Sequence, residues 1–243
     1  MPDPIGWAVL VVGALVGSLV GGVAGFGTGI IMLPLVAWVL GLRAAVPVLT
    51  VTMSIGNVAR IWWCRGEVDR AVVLRFALGA VPATALGTML YVGAPSDWLG
   101  RFVGLFLIAS VPLRRVLAMD FFRMRLSYFP ALGAAVGLIS GLVVTTGPLN
   151  TPFFLAYGLR RRAYIGTEAV CAMVMHLSRG AALTRYALLT WETFAVGALL
   201  GATMFAGAWV GRRLLDQMSD RVFLAIIEML VLLLGLHSLL FPR

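Results

Sequence analysis

At 243 residues, 61% hydrophobic and only 12% charged, the chain is too apolar to dissolve as a globular domain and reads as a multi-pass membrane protein. Its formal net charge of +9 comes from arginine, with no lysine anywhere, which excludes a Walker A ATPase and a Schiff-base enzyme. Most arginines fall in short turns between apolar segments, a pattern of membrane topology rather than of a nucleic-acid-binding stripe.

The first apolar segment, 5 to 41, would run about 54 Å as one straight helix, against a hydrocarbon core of about 30 Å. It must therefore fold back. The Met-Pro-Asp-Pro start has no basic n-region, so the segment is expected to be retained rather than cleaved. Its break falls in Gly21 to Pro34, where Gly25, Gly27 and Gly29 lower the cost of leaving the helix and Thr28 adds a polar side chain. Non-helical backbone at membrane depth persists only when it is buried in protein or lines a polar cavity, which makes Gly25, Gly27, Thr28 and Gly29 candidate site residues. The four-residue spacing of Gly13, Gly17, Gly21, Gly25 and Gly29 also fits a ridge for close helix packing, but that ridge leaves Gly27 and Thr28 unexplained.

Three ordinary spans follow, 44 to 64, 71 to 92 and 98 to 117, each near the roughly 20 residues that a crossing needs. Within the first, Asn57 and Arg60 stand three apart, on one helical face. Thr50 is expected to bond back within its helix. The pattern then restarts. A second long apolar segment, 128 to 158, is interrupted at Thr145, Thr146, Gly147, Pro148, Leu149 and Asn150, and spans at 163 to 184, 191 to 211 and 221 to 241 complete the chain. Gly13, Gly17, Gly21 and Gly27 match Gly133, Gly137, Gly141 and Gly147 at an offset of 120 residues, the difference between 13 and 133. Asn57 and Arg60 match His176 and Arg179 with a small shift. Residues 1 to 120 and 121 to 243 are thus expected to be two repeats.

Arginines cluster at Arg65, Arg70 and Arg75, at Arg114, Arg115, Arg123 and Arg125, at Arg160 to Arg162, and at Arg212, Arg213 and Arg221. All four clusters fall on the cytoplasmic side if each broken segment enters and leaves through the same face. Both termini then lie outside. The expected fold is an all-α membrane protein of two inverted repeats, each a re-entrant or broken helical hairpin followed by three transmembrane helices, the common plan of secondary transporters.

The run Gly-Val-Ala-Gly-Phe-Gly-Thr-Gly-Ile-Ile-Met-Leu-Pro at 22 to 34, its second-half echo ending at Pro152, and the Gly-Leu-Arg turns at 41 to 43 and 158 to 160 resemble the TauE/SafE sulfite exporter family of bacterial membrane proteins. The resemblance covers nearly the whole chain. It implies transport of sulfite or an organosulfonate such as sulfoacetate across the cytoplasmic (inner) membrane, by alternating access around a midplane site at the two hairpin tips. The second motif departs from the family pattern at Thr145, Thr146, Pro148 and Asn150, which leaves thiosulfate, sulfate or a carboxylate as alternatives.

The residues point to an anion on their own account. Returning half-helices that start near Gly29 and Pro148 would aim their partially positive N-termini at the centre, and two of them could balance about one negative charge. Arg60 and Arg179 would supply more, because intramembrane arginine marks a functional position by default. The competing reading is that each snorkels to headgroups from near its helix end. The candidate substrate-binding set is Gly25, Gly27, Thr28, Gly29, Asn57, Arg60, Thr145, Thr146, Gly147, Asn150, His176 and Arg179.

Glu168 and Glu228 are the acids placed for proton coupling, although Glu168 is expected to pair with the Arg160 to Arg162 turn; Thr167 is expected to cap or back-bond within its helix. Trp7, Trp62, Trp63, Trp98, Trp191 and Trp209 are expected at the membrane interfaces. Cys64 and Cys171 form no CxxC pair, and His176 and His237 are far apart, so no metal or other cofactor is expected. The expected partners are a small anion, the lipid bilayer and, where the fold allows it, further copies of the chain; no nucleic acid is expected. A different class, an intramembrane serine protease using Ser140 with a membrane histidine, is motivated by Ser140-Gly141 in an apolar helix. A non-transporting scaffold is the third.

Overall fold

The computed structural model describes residues 3–24, 28–117, 123–215 and 236. Gly25 and Gly27 lie outside this set, as does the expected last span, 221 to 241, apart from Leu236, with Glu228 and His237. The described residues form α-helices and one short 3₁₀ turn, without strands. In order they are α1 (Pro4–Ala24), α2 (Thr28–Leu40), α3 (Leu42–Cys64), α4 (Arg70–Gly93), α5 (Ser96–Leu117), the turn at Leu126–Tyr128, α6 (Phe129–Val143), α7 (Gly147–Tyr157), α8 (Arg161–Arg185) and α9 (Trp191–Leu215).

Helices are the only open-ended elements that satisfy their backbone within a segment, which is what an apolar solvent demands. Among the described residues, Leu42–Cys64, Arg70–Gly93 and Leu126–Val143 are long and apolar enough to cross a membrane. Large apolar side chains face outward along α4, at Leu74, Leu78, Leu86 and Leu90. Such a surface fits lipid and would be a liability in water. Trp62, Trp63, Trp98 and Trp191 are exposed close to helix ends, as interface anchors are.

Each interrupted segment contains a short return helix. At 13 and 11 residues, α2 and α7 span about 20 and 16 Å, too little to cross alone. α1 and α2 lie antiparallel: a Cβ on Gly17 would touch Thr28, and one on Gly13 would stand 2.5 Å from Leu35 Cδ1. Thr28 Oγ1 closes the pair by donating to the Gly17 carbonyl at 2.8 Å.

The contacts between long helices give their directions. Along α4 and α6 the contacts advance together, Gly79 against Pro130, Gly133 against Phe76, and Gly87 against Leu138 and Gly141, so these helices run the same way. The same holds for α3 and α9, where Val48 and Val51 meet Gly197 and Ile55 meets Gly201. α3 and α8 run oppositely, with Cys64 against Gly166 and Thr50 near Gly180. One end of the bundle therefore carries Leu42, Gly93, Ser96, Arg185 and Trp191, and the other carries Cys64, Arg70, Phe129 and Arg162. The α1/α2 hairpin enters from the first end and the α6/α7 hairpin from the second. Exchanging the halves preserves part of the contact pattern: α1 packs on α9 as α6 packs on α4, and α3 on α9 as α8 on α4, whereas α1 packs closely along α2 and α6 does not along α7.

Two apolar cores result, one near each end. The first gathers Leu10, Met32, Leu33, Leu49, Tyr91, Leu99, Leu142 to Val144 and Leu183. The second gathers Phe76, Phe129, Phe154, Tyr164, Cys171 and Met175. Between them in chain position on α4, α6 and α8 lie the buried Thr84, Thr88, Ser140, His176 and Arg179, whereas the buried Thr167 and Glu168 fall within the second core's stretch of α8.

Candidate functional site

This intervening layer is a polar belt, built where α3, α4 and α6 pack around α8 and the start of α7 joins it. Thr84, Asn57, Ser140, Thr145, Thr146, Asn150, His176 and Arg179 are buried in it, and Glu168 is buried nearer the start of α8, between second-core residues. The two matched arginines sit there in different company.

Arg60 donates to Glu168 across the α3/α8 contact, Nη1 to Oε2 at 3.0 Å, and also to Asn57 Oδ1 one turn earlier on its own helix. One turn before Glu168, the Tyr164 hydroxyl lies 2.7 Å from Thr151 Oγ1. Thr151 uses its own hydrogen on the Gly147 carbonyl at 2.8 Å, so Tyr164 is the donor. α8 is thereby tied to the first turn of α7.

Arg179 has no exposed surface at all. Its Nη2 donates to Ser140 Oγ at 2.6 Å and to the Ser140 carbonyl, and its Nη1 lies 2.8 Å from His176 Nδ1. A guanidinium has no acceptor, so Nδ1 accepts and the imidazole is not doubly protonated. The Nε–H has no partner among the described residues. Among the described residues no carboxylate balances this charge. Neighbouring contacts lock the level: Ser178 Oγ donates to the Val81 carbonyl at 2.8 Å, and a Cβ on Gly137 would stand 2.9 Å from Thr84 Oγ1. Arg179 thus lies at a three-helix junction of α4, α6 and α8.

The hairpin tips meet beside this junction. A Cβ on Gly29 would stand 2.6 Å from Thr145 Cβ, so the absence of a side chain at 29 lets the two interruptions touch. Just before Thr145, Val144 adopts φ 63°, a conformation costly for a β-branched residue, by about 1 to 3 kcal/mol. Such strain persists where the surroundings over-determine it, and it clusters at functional sites. Asn150, three residues into α7, is fully buried, with neither amide atom partnered among the described residues. An orphaned buried polar group costs about 1 to 3 kcal/mol. Asn150 and the Arg179 Nε–H together leave a donor-rich, unsaturated belt.

Several expectations change. Arg179 does not reach for headgroups: its guanidinium is turned inward onto Ser140 and His176. Glu168 pairs with Arg60 instead of the Arg160 to Arg162 turn, because the antiparallel α3/α8 packing brings residue 60 to its level. Thr50 bonds back to Val46 at 2.7 Å as anticipated, whereas Thr167 on α8 accepts the amide of Asp69, in the α3/α4 turn, at 2.9 Å. Ser140 is held by Arg179, which stands between it and His176, so these two form no serine–histidine dyad.

The half-helix dipoles also contribute less than anticipated. α1 ends at Ala24 and α6 at Val143, four residues before α2 and α7 begin, so each tip receives a partially negative C-terminus beside its positive N-terminus. At α7 the Leu149 and Asn150 amides already donate to the Thr146 carbonyl, at 2.9 and 3.2 Å. Sequence reasoning passed over Tyr164, Thr151 and Thr84. Only Thr84 carried a hint, as a polar residue at the centre of an apolar span.

A family model described as sulfite exporter TauE/SafE matches residues 9–238. No curated protein and no solved structure matches the chain.

Proposed function

Since the chain belongs to the TauE/SafE sulfite exporter family, a family of membrane transporters, we propose that it is a secondary transporter carrying small sulfur-containing anions, sulfite or an organosulfonate, across the cytoplasmic membrane. The observation that carries this reading is Arg179: a fully buried guanidinium that, among the described residues, has no carboxylate and an idle Nε–H. A charge in that position costs several kcal/mol unless something compensates it, and an oxyanion would supply both the counter-charge and the acceptor. Asn57, Asn150, His176, Thr145 and Thr146 complete the proposed binding belt, with Thr28, Gly29 and Gly147 shaping the tips.

The two hairpins entering from opposite ends support an inverted repeat, and their contact at Gly29 and Thr145 supports a site that opens to either side as the halves rock. The arginine-bearing end is proposed to be cytoplasmic and the N-terminus external. A scaffold would have no use for unsatisfied buried donors.

Flux into proteoliposomes tests the proposal. Radiolabelled sulfite or an organosulfonate should enter protein-containing vesicles faster than empty ones, and Arg179→Met should abolish the difference. If no small sulfur anion moves above the empty-vesicle rate, the proposal is wrong.

A further inference from the structure

Three residues apart on α8, His176 and Arg179 touch, Nδ1 to Nη1 at 2.8 Å. The guanidinium has no lone pair to offer, so the imidazole accepts here and carries its one hydrogen on Nε2. The charges acting on the ring are Arg179 itself and Arg60 across the α3 contact, and Arg60 is paired with Glu168 at 3.0 Å. On the other sides, α6 has no ionisable side chain and α4 carries its arginines near its start, at Arg70 and Arg75. Among the described residues, His176 is the one titratable group in hydrogen-bond contact with Arg179.

We propose that His176 is the proton site of the belt: it stays neutral beside a monoanion on Arg179 and takes up a proton when a dianion binds there, so that doubly charged oxyanions travel with a proton. The inference rests on the transport reading above and deepens it. In the empty belt a proton on Nδ1 would set two donors and two like charges face to face. A monoanion matches the guanidinium and needs nothing more. A dianion brings a second negative charge into a layer between two apolar cores, where an unpaired charge is heavily penalised. Its oxygens find a first donor in the idle Nε–H of Arg179, and they offset the repulsion that kept the proton off the neighbouring ring. Dianion and proton then favour each other's binding, and the coupling is reciprocal. The loaded belt holds one proton more than the empty one, so dianion affinity rises as pH falls.

Sulfate and methanesulfonate are the probes, since both are small and tetrahedral and neither titrates across the histidine range of about pH 5 to 8. Calorimetry on the purified full chain, in buffers of different ionisation enthalpy, counts the protons taken up per anion bound. Uptake should approach one for sulfate and stay near zero for methanesulfonate. Over the same range sulfate should bind up to about tenfold tighter for each pH unit lowered, with methanesulfonate nearly flat. His176→Gln keeps an acceptor for Arg179 but cannot hold the proton, and should lose both the uptake and the sulfate slope, whatever the affinities become. Should that variant fail to fold, nitrogen NMR on His237→Gln, which leaves His176 as the only histidine, still decides. Sulfate should convert its ring from singly to doubly protonated, and methanesulfonate should not. Three results overturn the proton site while leaving anion transport standing: sulfate binding without proton uptake, uptake that persists in His176→Gln, or sulfate refused down to about pH 5 while methanesulfonate binds. Binding of neither anion overturns both.

Discussion

Arg60 and Arg179 look equivalent in sequence, each three residues after a polar side chain on a long apolar helix. Their neighbours could not be read there, because Glu168 and Ser140 reach them from 108 and 39 residues away. Lysine keeps a positive charge but loses the planar fork that grips Ser140 and that, on the proposed function, would take an oxyanion as well. Arg179→Lys should therefore weaken methanesulfonate binding by about 1 to 3 kcal/mol, the worth of charge-assisted hydrogen bonds. Arg60→Lys should cost less, since a point charge still satisfies Glu168, and the exposed Arg101→Lys should cost almost nothing. Calorimetry on the three variants checks the ranking, and equal losses at 179 and 101 would mean that Arg179 does not touch the anion. What was legible at this scale was that Asn57, Asn150, His176 and Arg179 stand out as polar residues in apolar segments, all of them buried; what was hidden was Thr84 and which of these residues are already spoken for.

The helices themselves were legible from apolar runs and breaks, because in a bilayer both the length of a crossing and the position of an interruption are fixed by lipid. The glycine ladder was harder, since spacing cannot say which neighbour a glycine faces. In the second half it faces α4, where a Cβ on Gly79 would stand 1.9 Å from the Pro130 carbonyl oxygen and one on Gly133 would stand 2.1 Å from that of Phe76. In the first half Gly13 and Gly17 face α2 instead. Backbone cannot yield as a side-chain tip can, so Gly79→Ala and Gly133→Ala should each destabilise by about 1 to 3 kcal/mol, despite alanine's better helix propensity. Gly93→Ala, with nothing within 4 Å of the added carbon, should change stability by less than about 1 kcal/mol. Thermal melting in detergent makes the comparison; equal melting of Gly79→Ala and Gly93→Ala would show the α4/α6 seam to be loose.

Across the whole molecule, the ends of the bundle differ in charge as the turn arginines suggested. At one end Arg65, Arg70, Arg75, Arg125 and Arg162 outnumber Glu67 and Asp69, while at the other Asp3, Asp97 and Glu192 offset Arg43, Arg101 and Arg185. If the arginine end is cytoplasmic, a cysteine at exposed Gly66 should be labelled by an impermeant maleimide only in inside-out vesicles, and one at exposed Glu192 only in right-side-out ones. The native Cys64 and Cys171 are buried and should add little background; the opposite labelling pattern would invert the orientation. Arg179 has an electrical consequence in such a membrane. Moving one elementary charge through the full field is worth about 2.3 kcal/mol per 100 mV, so an empty belt holding an unbalanced guanidinium feels the voltage. A belt whose guanidinium is matched by a monoanion does not. The membrane potential would then act on the unloaded return and leave the loaded step nearly untouched, making the rate-limiting half of the cycle depend on how strongly the cell is energised.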